Sequence, residues 1–438
     1  MRNIEITAER LVVSLSNLPE ERRVCILDSC GVGKTGTNLL IAGIDPIEIC
    51  EITNDDPSET LRILDEKLGD QNLAAIFTIS YDFGLKLQSI ERRRPISNSP
   101  AEPDIYLALF DCLIVHDYES GVTFLSGNKG KFDGIAEIVL DSKGVKECPT
   151  PQELIVPKSN FSASEYSDAI SQIKELIRSG ETYQTNLTQQ LSVELAAELT
   201  VAEIFLRLRK NHPAPFAAYI DRGDSKVVSA SPEEFVRVTE EQNGERKISA
   251  SPIKGTRRRG VTIAEDNLLK AELLASEKDR AENTMIVDLM RNDLGRICEY
   301  GSIRVDSLCR LEEHPTLFHL VSTVSGTLRE RTEYSDIIKA IYPCGSITGA
   351  PKIRTMRIIE DIENADRGLS MGAIGYRVPE NTLGLPSTFE MSVAIRTMVV
   401  RDGTAVFNVG GGIVIDSDEE NEYDESLLKA KALLNALS

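Results

Sequence analysis

The sequence predicts a globular fold that mixes α-helices and β-strands, and three observations support this prediction. Of the 438 residues, 41% are hydrophobic and 27% are charged, an ordinary balance for a globular protein with a large core. Short apolar runs rich in β-branched residues recur along the chain, and other segments space their apolar residues as a helix does. The sequence has no run of about eighteen apolar residues and no signal-peptide segment at its start, so we expect a cytoplasmic protein.

The composition narrows the possible partners and cofactors. The net charge of −20 disfavours nucleic acids and anionic membranes, which need a basic surface, but a small anionic substrate needs only a local pocket of Lys and Arg. The eight cysteines occur singly, without a Cys-x-x-Cys pair, and only four histidines are present. We therefore expect neither a zinc site nor a framework of disulfides.

A first lobe of strands and short helices is predicted for residues 1–155. The proline-punctuated run 149–157 is the best candidate for a boundary before a second unit at residues 160–438. The same run could equally cross one continuous sheet.

The only nucleotide-binding pattern in the first lobe is incomplete. A short apolar strand at residues 24–27 leads to a Gly-Lys-Thr run at residues 33–35, which resembles the end of a P-loop. Asp28 stands where that pattern requires its first glycine. A loop that contributes to a different pocket is the better interpretation.

Lys254 is the most unusual basic residue, because it ends a predicted strand at residues 247–253 and precedes a glycine. Gly255 would let a ligand approach the backbone, and Thr256 adds a hydroxyl group. From these residues alone, a basic turn that caps a hairpin is the alternative interpretation.

Two further candidates lie at predicted strands. Glu233 follows a predicted hairpin at residues 216–230, and a carboxylate at the end of a strand is a common place for chemistry. His319 lies in an apolar strand at residues 318–322, where a histidine is usually a satisfied core residue.

Carboxylates project from two predicted helices. One long helix is predicted for residues 263–296, and a second begins at its N-cap Asp418. The acidic side chains that share a face on one or the other helix are Asp279, Glu282, Glu422 and Glu425, the last two beside Lys429. Carboxylates without Cys or His select a hard ion such as Mg²⁺, which bridges to an anionic ligand.

Groups that could bind the anion itself come from three segments. The glycine-rich loop at residues 342–352 leads into a helix whose free amides, with Lys352, would make an anion site. Arg396 lies inside a predicted strand at residues 391–400 and must find an anion, and the glycines at residues 410–412 allow close approach of a ligand. The residues thus predict a Mg²⁺-assisted site for a small carboxylate-bearing molecule.

Taken together, these segments resemble the chorismate-utilising enzymes, a family that includes anthranilate, aminodeoxychorismate, isochorismate and salicylate synthases. The resemblance covers residues 160–438 strongly and the first lobe more weakly, through residues 28–31 and 81–84. The runs that carry it lie at residues 183–188, 231–233, 252–256, 282–294, 345–352, 394–397 and 410–429. The family likeness implies an α+β fold like that of anthranilate synthase, with two antiparallel sheets packed face to face, helices outside and the site between the sheets.

Two positions separate the members of the family. Anthranilate synthases are similar here but carry alanine at the place of Lys254, whereas aminodeoxychorismate synthases carry lysine. Isochorismate and salicylate synthases carry a lysine base at the place of Gln184. The resemblance therefore favours aminodeoxychorismate synthase component I, which makes 4-amino-4-deoxychorismate for p-aminobenzoate and folate synthesis. Anthranilate synthase component I is the alternative, and a silent regulator that binds chorismate or tryptophan is disfavoured by the intact set of site residues.

The resemblance also implies roles for individual residues. Lys254 would be the nucleophile and Glu233 the acid. Mg²⁺ would be held by Glu282 and Glu425, with Asp279 and Glu422 in its water shell. Arg396 and the amides of the glycine run would hold the enolpyruvyl carboxylate. The family positions with less defined roles are Thr256, Thr348, His319 and Lys429, and the three glycines are Gly410, Gly411 and Gly412.

Three further expectations concern a departure from the family pattern, a partner subunit and a second pocket. Ser370 stands where the family usually has a tyrosine that contacts the pyruvyl group. The chain has no Gly-x-Cys-x-Gly motif, so ammonia would come from a separate glutamine amidotransferase subunit. In this family the first lobe often carries a tryptophan pocket, for which Ser29 is the candidate contact.

Overall fold

The computed structural model describes residues 1–32, 37–92, 102–141, 155–241, 243–314, 317–379 and 385–438. Within these ranges the strands are β1 Arg2–Ile4, β2 Cys25–Asp28, β3 Leu39–Gly43, β4 Glu48–Ile52, β5 Ala74–Ile79, β6 Ile105–Phe110, β7 Cys112–Asp117, β8 Val122–Gly127, β9 Lys158–Ser159, β10 Gln184–Glu194, β11 Phe216–Asp221, β12 Ser225–Ser231, β13 Glu234–Glu240, β14 Arg246–Ala250, β15 Ile253–Arg258, β16 Arg304–Glu313, β17 Leu317–Thr327, β18 Gly349–Ala350, β19 Ala373–Val378, β20 Thr388–Val393, β21 Thr397–Arg401 and β22 Thr404–Ile413.

The helices of the same ranges are α1 Ala8–Ser16, α2 Pro57–Leu68, α3 Tyr81–Leu87, α4 Phe132–Leu140, α5 Ala163–Arg178, α6 Val201–Asn211, α7 Ile263–Ala275, α8 Glu277–Gly295, α9 Tyr334–Ile341, α10 Lys352–Ile362 and α11 Glu419–Leu437. In this described part of the chain, no helix is both long and apolar enough to cross a membrane. The Gly-Lys-Thr run at 33–35 lies outside the described residues.

The strands form two antiparallel sheets, as the family likeness predicted. The first sheet has twelve strands in the order β1-β8-β7-β3-β2-β11-β12-β21-β22-β10-β18, with β9 also paired to β10. The second has ten strands in the order β15-β17-β14-β13-β20-β19-β5-β6-β4, with β16 also paired to β17.

The alternation of side chains along the strands places the two sheets against each other. Ile76 of β5 and Ile220 of β11 belong to one apolar cluster that contains residues of both sheets. Their neighbours Phe77 and Tyr219 point the other way, into two separate clusters that include residues of the helices. Because side chains of a strand alternate between faces, this pattern gives four layers, with helices outside and two sheets inside.

Both sheets combine strands from before and after residues 142–154. In the first sheet β2 pairs with β11, and in the second β5 pairs with β19. The division into units at 1–155 and 160–438 stays a prediction, but the two segments share both sheets.

Several predicted elements are confirmed. The capping box at Ser162 and Glu165 begins α5, with both reciprocal hydrogen bonds present. The hairpin predicted at residues 216–230 forms as β11 and β12, and Asp418 caps α11 by accepting a hydrogen bond from the amide of Asn421.

Three segments were each predicted to form one element, and each prediction was wrong because the structure divides the segment into two elements. The helix predicted at 263–296 is two helices, because Ser276 leaves the helical conformation and caps α8 through the amide of Asp279. The strand predicted at 391–400 is β20 and β21, which lie in different sheets. The strand predicted at 247–253 is β14 and part of β15, separated at Ser251 and Pro252 and both paired with β17.

Candidate active site

Lys254 lies on β15 at an irregular point of the sheet. The register between β15 and β17 shifts between Ile253 and Thr256, and Gly255 adopts a φ of +82° there. A Cβ atom at Gly255 would come within 3.0 Å of Asp279 and Leu273, so only glycine fits without strain or displacement. The half-buried ammonium of Lys254 lies 3.5 Å from the carbonyl oxygen of Ser346.

Glu233 is buried beside this lysine. Burial raises the pKa of the Glu233 carboxyl, and Ser346 and Lys254 oppose that rise only in part. Its Oε1 has no hydrogen-bond partner among the described residues. A buried carboxyl that is held towards its protonated form and has a free oxygen is suited to donate a proton to a ligand.

Gln184 contributes a second set of buried polar atoms with no protein partner. It begins β10, and within the described chain neither its Nε2 nor its Oε1 is hydrogen-bonded. A Cβ atom at Gly412 would lie 2.0 Å from Nε2, so this side chain covers Gly412. Buried polar groups are rarely left without a partner, and these atoms therefore indicate where a ligand or water is bound.

The three glycines of β22 lie between β10 and α11. Gly410, Gly411 and Gly412 pair with residues 186–188 of β10. A Cβ atom at Gly411 would lie 3.3 Å from both Glu422 Oε2 and Lys429 Nζ, and Lys429 Nζ donates to the carbonyl oxygen of Gly410 at 2.9 Å. Because these three positions lack side chains, the backbone of β10 and the charged groups of α11 can approach β22 closely.

Helices α8 and α11 present the four predicted carboxylates. Asp279 is 3.3 Å from Arg257, and Glu422 accepts a hydrogen bond from Ser417 Oγ at 2.6 Å. Glu425 lies 2.8 Å from Lys429 Nζ. Partial burial opposes the ionisation of Glu425, but Lys429, together with Lys278 and Lys254, lowers the pKa of this carboxyl.

Glu282 is the carboxylate of this set that forms no ion pair within the described part of the chain. Burial raises the pKa of Glu282, and Lys254 and Lys278 offset the rise only in part. Lys278 also lies 3.9 Å from Glu422. Among the described residues, no three His, Cys, Asp or Glu side chains are close enough together to hold a metal ion. The donor set is nevertheless all carboxylate oxygen, and the under-compensated Glu282 fits a hard cation such as Mg²⁺.

His319 and Thr256 are joined to each other across β15 and β17. Thr256 Oγ1 and His319 Nδ1 are 2.9 Å apart. Burial, with further contributions from His314 and Arg396, lowers the pKa of His319 to about 3. The imidazole is therefore neutral near pH 7, and it braces the strand that carries Lys254.

Arg396 lies where the chain crosses from the second sheet to the first, not inside a strand as predicted. It adopts a φ of +48° between β20 and β21. Burial lowers the pKa of its guanidinium, which has no hydrogen bond or ion pair with any described residue. A half-buried cation that has no partner among the described residues is suited to bind an anion.

The sequence decides the family. Residues 23–435 match the family model of the chorismate binding enzymes. The chain belongs to this family. It is 36% identical over 363 residues to anthranilate synthase component 1 of Aquifex aeolicus, covering 78% of this chain and 71% of that protein. It is equally similar, 36% over 375 residues, to aminodeoxychorismate synthase component 1 of Bacillus subtilis, covering 83% of this chain and 76% of that protein.

The fold agrees with a solved member of the chorismate-binding family. The crystal structure of anthranilate synthase component I from Streptococcus pneumoniae superposes with a TM-score of 0.73 at 26% identity, covering 94% of this chain and 90% of that one. The α+β arrangement of two face-to-face sheets is thereby confirmed. The comparisons include both anthranilate and aminodeoxychorismate synthases, so they give the chorismate-binding family and not the member.

Two residues of the predicted anion site have structural partners instead. Lys352 is buried, and its Nζ contacts Asp293 Oδ2 at 2.5 Å and the carbonyl oxygen of Ile341 at 2.7 Å. The prediction that Lys352 binds an anion was therefore wrong, because its charge is already neutralised. The hydroxyl of Thr348 lies 3.0 Å from the carbonyl oxygen of Cys344 and shapes the glycine-rich loop.

Ser370 and Ser29 are the two serines that the comparison with the chorismate-binding family singled out. Ser370 Oγ accepts a hydrogen bond from the amide of Asn408 at 3.0 Å, so it supports β22. Ser29 is buried, donates to Asn38 Oδ1 at 3.2 Å and lines a narrow cavity between the sheets with Tyr376 and Glu390. Whether that cavity binds tryptophan stays a prediction.

Two residues near the site were not singled out from the sequence. Ser346 contacts both catalytic candidates, its carbonyl oxygen facing Lys254 and its hydroxyl facing Glu233. Lys278 lies between the carboxylates of α8 and α11. Lys278 stands four residues before Glu282 on one helix, and this spacing was a signal for Lys278 in the sequence. No local pattern indicates Ser346.

Proposed function

We propose that this chain is component I of an aminodeoxychorismate synthase, which converts chorismate and ammonia to 4-amino-4-deoxychorismate, the precursor of p-aminobenzoate. The observation that carries the proposal is that Lys254 and the buried acid Glu233 both face Ser346, because an amination through a lysine adduct needs a nucleophile and a proton donor near each other. A separate glutamine amidotransferase subunit would supply the ammonia.

The two residues support a balanced reaction. Nζ of Lys254 forms a bond to ring carbon C2, the two conjugated ring double bonds each shift by one position, and the C4 hydroxyl leaves as water with the proton of Glu233. Ammonia then bonds to C4, both double bonds return to their original positions, and the bond between C2 and Nζ breaks. The proton that ammonia loses restores Glu233, and the lysine amine is regenerated.

The carboxylates of α8 and α11 are the groups that would hold magnesium, although in the described structure they do not lie close enough together to form a metal site. Glu282 and Glu425 would hold the ion, with Asp279 and Glu422 reached through water. When bound, the ion would screen the ring carboxylate of the substrate and orient the ring. Lys278 and Lys429 already neutralise part of the charge of Glu422 and Glu425, so these lysines would have to move or share the site with the ion.

The second carboxylate of chorismate is expected at Arg396. Its guanidinium has no protein partner among the described residues, and the amides of the glycine run 410–412 are the other groups that the family likeness assigns to this carboxylate. Gln184 carries no charge, so it cannot serve as the base that would activate water at this ring, and ammonia can compete.

The test is an incubation of the purified chain with chorismate, Mg²⁺ and ammonium, with and without Lys254→Ala. We expect a product that a separate aminodeoxychorismate lyase converts to p-aminobenzoate, and a chorismate-derived mass on Lys254 in the wild type. The Lys254→Ala variant should form neither, whereas Lys247→Ala, an exposed lysine on β14, should behave as the wild type. Product formation by Lys254→Ala at the wild-type rate would contradict the role of the lysine.

Anthranilate synthase is the second candidate, favoured by the relative in Aquifex aeolicus at the same 36% identity. It differs in its product, because anthranilate leaves the enzyme with pyruvate and without a lyase. Direct release of anthranilate in the same incubation would establish it and remove the proposal above.

A further inference from the structure

The guanidinium of Arg367 binds two backbone segments that border the candidate active site. Its Nη1 donates to the carbonyl oxygen of Ile347 at 2.8 Å, in the glycine-rich loop, and its Nη2 donates to the carbonyl oxygen of Asn186 at 2.8 Å, in β10. Ile347 directly follows Ser346, and Asn186 stands two residues after Gln184. Arg367 therefore joins the loop that faces the candidate nucleophile and acid to the strand that begins with Gln184.

Glu363 completes this attachment. Its carboxylate accepts hydrogen bonds from Nε and Nη2 of Arg367 at 3.0 Å and 2.7 Å. Its Oε1 also accepts hydrogen bonds from the amide and the hydroxyl of Thr188, at 2.8 Å and 2.9 Å. Thr188 pairs with Gly410 of the neighbouring strand β22. The ion pair is thus bound to the glycine-rich loop and to β10, next to the glycine run of β22.

The pair is fully buried, and stability alone explains it poorly. The side chains of Arg367 and Glu363 are 0% and 1% exposed, and the centroid of the Tyr81 ring lies 4.5 Å from the guanidinium carbon. Because removing two charges from water is costly, apolar side chains of similar volume are often as stable at such a place. Directed hydrogen bonds to charged groups, in contrast, hold a backbone in one geometry. The geometry that the pair sets is therefore the better explanation.

We propose that Arg367 and Glu363 form a positioning pair, which sets the geometry of the active site without touching the substrate. The inference rests on the proposed function, since its effect is on the rate of the lysine-dependent amination. Ser346 transmits the effect, because its carbonyl oxygen faces Lys254 and its hydroxyl faces Glu233. A displacement of the loop changes both contacts, and a misplacement of about 1 Å can lower a rate by about 10².

A purely structural role is the alternative, and the two roles differ in what an apolar replacement does. Arg367→Met alone leaves the carboxylate of Glu363 buried without its cation, so it should lower the free energy of unfolding. The double variant Arg367→Met/Glu363→Leu removes both charges and should recover part of that loss. If the pair serves only stability, turnover recovers together with stability. If the pair sets the geometry, turnover stays low in a protein that is folded.

The experiment compares wild type with the double variant, with Arg367→Lys and with the control Arg222→Met. Arg367→Lys keeps the charge beside Glu363, but one ammonium cannot replace the planar fork that binds two carbonyl oxygens and a carboxylate. Arg222 forms another buried ion pair, with Glu102, and lies before β12, whereas Glu233 follows β12, roughly 20 Å away. Turnover of chorismate with ammonium gives kcat and KM across pH, and urea unfolding gives the stability of each variant.

We expect Arg367→Lys and the double variant to lower kcat by about tenfold to hundredfold, with KM for chorismate within about threefold of wild type. The decrease in rate at high pH should also move to higher pH, because the Ser346 hydroxyl, which lowers the pKa of Glu233, is no longer held beside it. Arg222→Met should lose stability and keep the wild-type kcat and pH profile.

A wild-type kcat and pH profile in the folded double variant would overturn the positioning role. Should the double variant not fold, the same result with Arg367→Lys would overturn it. If wild type releases anthranilate in place of the 4-amino product, the proposed function fails, and the same variants, compared by anthranilate release, still test the pair.

Discussion

Glu233 combines two properties that a structural carboxylate does not need. It is buried without a cation in contact, and one of its oxygens lacks a partner among the described residues. Burial raises its pKa, so a larger share of it is protonated at neutral pH than of an exposed glutamate. These properties suit a proton donor and would otherwise cost stability.

The variant Glu233→Gln is expected to lower kcat by about 10² to 10⁴, with a smaller change in KM, because it removes a proton that is transferred only in the transition state. The wild-type rate should fall as pH rises through the raised pKa of Glu233, and this high-pH decrease should be missing in the variant. Steady-state rates with ammonium across pH measure both effects.

The control for this prediction is Glu234→Gln. Glu234 is buried next in sequence, but its carboxylate is paired with Arg237 at 2.7 Å. Its variant should lose stability and keep the high-pH decrease. Equal pH profiles for wild type and Glu233→Gln would show that another group donates the proton.

His319 links the site to acid stability. Its pKa is about 3 in the folded chain and about 6.5 in an unfolded one, so between these values the unfolded state binds the extra proton. The free energy of unfolding should therefore decrease as pH falls from about 6.5 towards 3, by up to about 1.4 kcal/mol per pH unit from this residue.

Urea unfolding of His319→Gln at pH 7 and pH 5 tests this. The variant should lose less stability between the two pH values than wild type does, because it has no imidazole to protonate. Thr256→Val removes the hydrogen bond but keeps the imidazole, so it should be less stable at both pH values with the wild-type slope. Identical slopes for wild type and His319→Gln would contradict the assignment.

At the scale of elements, a buried ion pair fixes the glycine-rich loop. Lys352, at the start of α10, contacts Asp293 of α8 and the last carbonyl of α9, Ile341. Three helices are thus tied together directly behind the loop that carries Ser346 and Thr348. The pair explains why this lysine is unavailable to a ligand.

The variant Lys352→Met is expected to destabilise the protein by about 3–5 kcal/mol, because it leaves the carboxylate of Asp293 buried without its partner. The double variant Lys352→Met/Asp293→Leu should recover most of that loss, since two apolar side chains replace the pair. Chemical denaturation of the three proteins measures both steps. A single variant as stable as wild type would mean that water reaches Asp293.

The helices and strands also show where local sequence patterns were sufficient to predict the structure. The capping box of α5 and the hairpin of β11 and β12 were predictable because their contacts join residues close in sequence. The break at Ser276 was missed because a serine is tolerated inside a helix as well as at its cap. The division of β20 and β21 was missed because the apolar run is continuous, and only the positive φ of Arg396 marks the crossing.

At the scale of the whole molecule, the order of strands depends on contacts that no local pattern encodes. β5 pairs with β19, and the two strands are separated by almost 300 residues of chain. The two-sheet arrangement was therefore predicted only through the family likeness. The site has the same origin, since Lys254 lies on a strand of the second sheet and Gln184 on a strand of the first.

The shared sheets lead to a prediction about the two segments of the chain. Residues 155–438 expressed alone should be insoluble or should lack a cooperative unfolding transition. Without residues 1–141, β11 loses its partner β2, β19 loses its partner β5, and the apolar layer between the sheets loses one part of its residues. Soluble yield, gel filtration and thermal unfolding of the fragment measure this.

Co-expression of residues 1–141 as a separate chain should restore a soluble complex, because the missing strands can pair without being covalently joined. An intact protein with a protease site inserted between residues 142 and 154 is the matched control, and after cleavage it should remain one particle with one unfolding transition. A monodisperse fragment 155–438 that unfolds cooperatively by itself would instead show two independent units, with the boundary near residues 155–160. In that case the strands shared between the segments would be an interface between domains rather than parts of one core.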